Sequence, residues 1–119
     1  MSSEQTSVGV LGGTGPAGTA LAARLASIGY NVVIGSRSSE RAEEKAKEIR
    51  DAWPALKLPL RGGSNEEAAA CEIVVLATPW DSAATTVREH LVALRGKVVI
   101  SMANALVRVG HEFQPLVPP

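Results

Sequence analysis

Four short runs constrain this chain more than anything else in it: VGVL (8–11), VVI (32–34), IVVLA (73–77) and VVI (98–100). Each is apolar at consecutive rather than alternate positions, the pattern of a strand buried on both faces of a parallel sheet. A weaker run, LKLPL (56–60), contains Pro59, which lacks an N–H and belongs at a sheet edge. Only four aromatic side chains occur in 119 residues, so any core must be aliphatic.

Helical patterns fill the intervals. Ala17 to Ile28 is rich in Ala and Leu and stops before Gly29, a natural helix end. Ser39 to Trp53 carries Ala42, Ala46 and Ile49 on one face, and Glu43 and Lys47 at i,i+4 spacing on the other. Ser64 and Glu67 have capping-box spacing for a short segment. Thr78-Pro79 reads as N-cap and first-turn proline of a helix through about Leu94, with Ala84, Val87, Leu91 and Leu94 as its apolar face. Five strands therefore alternate with four helices. Right-handed crossovers make this an α/β fold, a Rossmann-type doubly wound parallel sheet of about five strands ordered 3-2-1-4-5. Residues 1–119 form a single domain on this reading, with a core at 7–101 and an irregular tail at 102–119.

Between the first run and the first helix lies GGTGPAG. Gly13, Gly15 and Gly18 give the spacing GxGxxG inside a βαβ unit, the context in which that otherwise weak motif becomes informative. The first glycine permits a tight turn, the second admits a diphosphate, and the third lets helix and strand pack closely. The backbone of Thr14, Gly15, Pro16 and Ala17 sits at a helix N-terminus, where unused N–H groups and the helix dipole favour an anion. A dinucleotide is the expected ligand.

The second strand indicates which one. Domains that bind NAD place Asp or Glu near its end, against the ribose 2′-hydroxyl. Here the strand runs into Ser36 and Arg37, with Arg41 one helical turn later. Two guanidiniums and a hydroxyl suit the 2′-phosphate of NADP through charge-assisted bonds. Two solvated arginines on a polar loop would need no ligand; NADP is the better reading. Ala77, Thr78 and Pro79, followed by Trp80, end the fourth strand at the switch point, where ligands of such sheets lie. Trp80 serves equally as a packing residue. Beyond the fifth strand, Ala103 and Asn104 are candidates for the nicotinamide end.

With GGTGPAG, VVIGSRSSERAEEKA and ATPWDSA in place, the chain resembles the NADPH-dependent reductases of the deazaflavin coenzyme F420, from about Val8 to Ser101. The resemblance implies hydride transfer between nicotinamide and deazaflavin. It implies that Thr14 to Ala17 hold the pyrophosphate, that Ser36, Arg37 and Arg41 hold the 2′-phosphate, and that Thr78 and Pro79 line the nicotinamide side. Two departures stand out. Pro16 removes one backbone donor from the cradle, and members of the family continue past this length with elements that complete the deazaflavin pocket. Two other readings share the cofactor: an NADPH-dependent reductase of another substrate such as an imine, and a non-catalytic NADP-binding module.

Charge and composition narrow the field. Net charge is zero without a basic block, which disfavours nucleic acid and anionic membranes as partners. The opening MSSEQTS lacks a signal-peptide pattern, and no run is long enough to span a bilayer. One cysteine, Cys71, fits a cytoplasmic protein. It begins a buried strand and reads as a core thiol, while His90 and His111 read as surface residues. No side-chain spacing suggests a metal site, and no catalytic acid–base group is assigned. An uncovered sheet edge would favour a homodimer.

Overall fold

The computed structural model describes residues 6–103 and 106–115. Five parallel strands form one sheet in the order β3-β2-β1-β4-β5. They are β1 (Ser7–Leu11), β2 (Asn31–Ser36), β3 (Leu60–Ser64), β4 (Ile73–Leu76) and β5 (Val98–Ser101). The helices between them are α1 (Pro16–Ser27), α2 (Ser39–Ala52), α3 (Asn65–Ala69), α4 (Trp80–Glu89) and α5 (Leu91–Leu94). The strand order and the doubly wound plan match the sequence expectation. No described helix is long and apolar enough to cross a membrane.

Alternate residues of the central strands feed two cores, one on each face. Val8, Val10, Val32, Ile34 and Val75 pack with Ala22 and Ala26 of α1 and Ala42 and Ala46 of α2. On the other face Leu11, Val33, Val74 and Leu76 pack with Ala68, Ala69 and Leu94. Alanine on the helices brings helix and sheet backbones close. Gly9 carries this furthest, since a Cβ there would fall 1.8 Å from the Ala68 carbonyl oxygen. The short helix α3 therefore lies directly on β1, held by a complete Ser64–Glu67 capping box.

Several expectations need correction. LKLPL is not a strand: Pro54–Leu56 is a single 3-10 turn and Lys57 is left-handed (φ 48°). The edge strand starts only at Leu60, after Pro59 has given its carbonyl to the Val32 N–H. Glu43 does not pair with Lys47, which instead reaches Asp51. The helix after β4 begins at Trp80 with Pro79 as its N-cap, and it breaks at His90 (ψ 19°). That break turns Leu94 into the core and leaves Leu91 and Val92 exposed; Ala83, not Ala84, packs inward beside Val87. β5 is exposed on both faces, because no described helix covers it. Where an irregular tail is expected, β6 (Leu106–Val109) and β7 (Glu112–Pro115) form an antiparallel hairpin. Gly110, at φ 62°, opens its two-residue turn.

Glu43 has a more consequential partner than Lys47. Its carboxylate takes Arg50 at 2.6 Å and the Gly62 N–H at 3.0 Å. Arg50 also donates to the Leu60 carbonyl at 2.7 Å. Two side chains of α2 thus satisfy backbone groups that the edge strand β3 would otherwise leave to water.

The bond from Arg50, then the Gly62 N–H, hold the Glu43 carboxyl below its ordinary value of 4.5. A lowered folded pKa stabilises above the unfolded value, and that stability is lost as pH falls through the folded one. Glu43→Gln should therefore cost about 0.5–1 kcal/mol at pH 7, a figure discounted for partial exposure. Urea unfolding of both proteins should show the gap closing below pH 4.5. A gap that stays constant as pH falls below 4.5 would contradict the assignment.

Candidate functional site

β1 lies between β2 and β4, so the crevice at the switch point opens above its carboxyl end. The turn leaving β1 is pinned twice. The Gly13 N–H donates to the Gly35 carbonyl at 2.9 Å, and the Gly12 N–H donates to Asn65 Oδ1 at 3.2 Å. Gly12 is left-handed (φ 64°), and a Cβ on it would meet the Thr78 methyl at 2.6 Å. The turns after β1 and β4 are thereby in direct contact.

The three motif glycines have separable reasons. A Cβ on Gly13 would sit 2.8 Å from the Val10 carbonyl oxygen, and one on Gly18 would sit 2.9 Å from the Gly13 Cα. Gly13 is required by the fit of the turn against β1 and β2, and Gly18 by the packing of α1 on the turn. Gly15 is not. Its φ of −78° suits any residue, and a Cβ there would meet nothing within 4 Å. Neither conformation nor protein packing calls for glycine at that position, which leaves space for a group from outside.

The first turn of α1 is also open chemically. α2 and α3 carry side-chain caps from Ser38 and Ser64. α1 has none, its N-cap being Gly15, and α4 has none either. Pro16 has no N–H. No described protein group accepts from the amides of Thr14, Gly15, Ala17 or Gly18, so donors and the positive end of the helix dipole remain available.

Beside this turn is a polar cleft of about 340 Å³. Gly12, Thr14, Ser36, Arg37, Asn65 and Thr78 form one side, and Ser82, Thr85, Thr86 and Glu89 of α4 form the other. Thr78 Oγ1 is buried without a hydrogen-bond partner. Ser36 Oγ accepts from the Ser38 N–H at 3.2 Å, which shapes the loop carrying Arg37. The guanidiniums of Arg37 and Arg41 have no partner among the described residues. Arg50 and Arg61, by contrast, are committed to Glu43 and Glu67. The bond from Arg61, then the Ser64 N–H, lowers the Glu67 pKa. Of these arginines, Arg37 lines the cleft with its guanidinium uncommitted.

Of the sequence-derived residues, Thr14, Ser36, Arg37, Thr78 and Pro79 share this cleft, and Gly13, Gly15, Pro16, Ala17 and Gly18 frame its turn. Arg41 lies on the first turn of α2 and does not line the cleft. Ala77 donates its N–H to the Leu11 carbonyl, and Ala103 donates to Ser101 Oγ; neither lines the cleft. Trp80 is half-exposed beside it. Asn104 lies outside the described residues. Asn65 and Gly12 are additions the sequence reading missed. The pair of adjacent glycines at 12 and 13 was a signal for the second, but nothing local points to the first. A larger, more open cleft of about 580 Å³ at the other end of the strands holds Cys71, whose thiol burial pushes up, and the paired Arg61 and Glu67.

Residues 7–105 match the family described as NADP oxidoreductase, coenzyme F420-dependent. The F420-dependent NADP reductase of Methanothermobacter marburgensis is 38% identical over 78% of this chain and 42% of its own length. That of Methanocaldococcus jannaschii is 35% identical over 83% of this chain and 45% of its own. The chain thus spans less than half the length of these curated relatives. Among solved structures, a protein from Arthrobacter sp. FB24, provisionally named an F420-dependent NADP-reductase, superposes with TM-score 0.70 at 28% identity. It is covered over 50% of its length by 91% of this chain. A hypothetical protein from Sinorhizobium meliloti shares the fold, with TM-score 0.64 at 22% identity over 96% of this chain and 51% of its own.

The contrast between glycines is testable. Gly18→Ala should destabilise the fold by about 1–3 kcal/mol, because a methyl has no room against the Gly13 backbone. Gly15→Ala should change stability by about 1 kcal/mol or less, yet weaken binding of a dinucleotide. Denaturant titration and a binding isotherm on each variant separate the two. Intact binding by Gly15→Ala would remove the ligand from this turn.

Proposed function

We propose that this chain, which belongs to the family of coenzyme F420-dependent NADP oxidoreductases, holds NADP(H) for hydride transfer between NADPH and the deazaflavin F420. The observation that carries the reading is Gly15, a glycine with no internal reason to be one. The amides of Thr14, Gly15, Ala17 and Gly18 hold the diphosphate. Arg37, with Ser36 shaping its loop and Arg41 approaching from α2, receives the 2′-phosphate. Thr78 and Pro79 line the nicotinamide side, with Ala77 behind them and Ala103 toward the far end. When bound, the reduced nicotinamide supplies the hydride. The chain's own part is to bind, orient and exclude water, which such a transfer needs more than acid–base groups.

Cofactor preference tests this assignment. A hydrogen bond to a charged group contributes roughly 1.5–3 kcal/mol. Arg37→Ala should therefore weaken NADPH binding by on the order of ten- to a hundredfold, while NADH binding changes little. Arg41→Ala should act in the same direction but more weakly. Raising salt should reproduce part of the loss. Equal losses for both cofactors would remove the 2′-phosphate from Arg37.

The same reading extends to a cytoplasmic protein that pairs with a second copy. What supports pairing is β5, where Val98 (60% exposed), Val99 (40%) and Ile100 (49%) present apolar surface at the sheet edge. Sedimentation at tens of micromolar, on the order of a weak dimer's dissociation constant, should show a dimer. A lone monomer there would count against pairing.

A further inference from the structure

We infer that Asn65 is a positioning residue for the bound dinucleotide, fixing the phosphate turn through Oδ1 and offering Nδ2 to a diphosphate oxygen. This rests on the dinucleotide reading above.

Asn65 opens α3, immediately after β3. Its carboxamide nonetheless reaches β1, two strands away in the sheet, to accept the Gly12 N–H at 3.2 Å. The path crosses the end of β2 at Gly35. A Cβ there would lie 2.9 Å from Asn65 Oδ1 and 2.7 Å from the Ala68 methyl. Glycine at 35 clears the way for the carboxamide.

An N–H donates to that atom, so it is the oxygen, and the other arm of the planar amide is an NH2. No described protein group accepts from Nδ2, although Asn65 lines the polar cleft. Around it the cleft is rich in donors: the Thr14 amide and Arg37 are unengaged, and Glu89 is the one carboxylate of its lining. An amide N–H in such company suits an anionic oxygen. Asn65 thus joins three strands to one ligand contact. Its Oδ1 keeps Gly12 against Thr78, and its nitrogen faces the common part of NADPH and NADH.

The test is titration of NADPH and NADH against wild type, Asn65→Asp, Asn65→Ala and Arg37→Ala, with thermal unfolding of each. Asn65→Asp keeps an acceptor for Gly12, and an acid in the first turn of a helix is favourable. It replaces the donor with an anionic oxygen. The expected result is a loss of about tenfold or more, equal for the two cofactors, with the unfolding temperature nearly unchanged. Arg37→Ala should instead affect NADPH selectively. Wild-type binding of both cofactors by Asn65→Asp would reduce Asn65 to an anchor for Gly12 and overturn the inference. So would a loss confined to NADPH, which belongs to the 2′-phosphate corner. Should Asn65→Asp fail to fold, Asn65→Ala decides: equal losses for both cofactors at a near wild-type unfolding temperature support the inference, while unchanged binding, or a loss that accompanies a lowered unfolding temperature, overturns it. A wild-type chain that binds neither cofactor would instead overturn the parent reading.

Discussion

Everything at the candidate site depends on how closely α1 approaches the end of β1. Gly18 and Gly13 meet with no room for a methyl between them. That contact sets the helix start directly over the strand end, so its unused amides cluster above the sheet instead of beside it. A wider turn would scatter those donors and leave the helix dipole pointing at solvent. Two backbone anchors, Gly13 to Gly35 and Gly12 to Asn65, keep the turn rigid before any ligand arrives. The donors are thus pre-arranged, which reduces the ordering that binding must supply.

Electrostatic division of labour follows from the same architecture. The chain is neutral overall, yet its arginines have distinct roles. Arg50 and Arg61 neutralise carboxylates and secure the β3 side of the sheet. Arg37 follows the carboxyl end of β2, where the parallel strands direct a ligand, and its guanidinium is uncommitted. Moving a carboxylate to that loop would both cancel the charge and recreate the ribose grip of an NAD-binding domain.

Much of this fold was legible in the sequence because its determinants are local. Consecutive apolar residues identified β1, β2 and β4, and the spacing of three glycines located the turn between strand and helix. The Ser64–Glu67 box was visible for the same reason. Misreadings arose where a distant contact decides. LKLPL has the composition of a strand, but the left-handed Lys57 and the Pro59 carbonyl delay pairing until Leu60. The break at His90 serves the burial of Leu94 against Leu76, which no helical periodicity contains. The β6–β7 hairpin carried a visible cue, Gly110 directly after the run LVRV, that terminal prolines obscured. Asn65 was illegible, since its partner Gly12 is 53 positions away and becomes adjacent only through the strand order.

The two edges of the sheet are defended unequally. On β3, Glu43 and Arg50 occupy backbone groups that another strand could otherwise use. On β5, Val98–Ser101 contains no charge, and Lys97 just before it turns away to donate to the Ala69 carbonyl. That strand lacks the gatekeeping lysine, proline or bulge by which sheet proteins discourage templating. Among the described residues the two edges therefore differ in kind: β5 leaves its backbone groups open to a further strand, while β3 has its own already occupied.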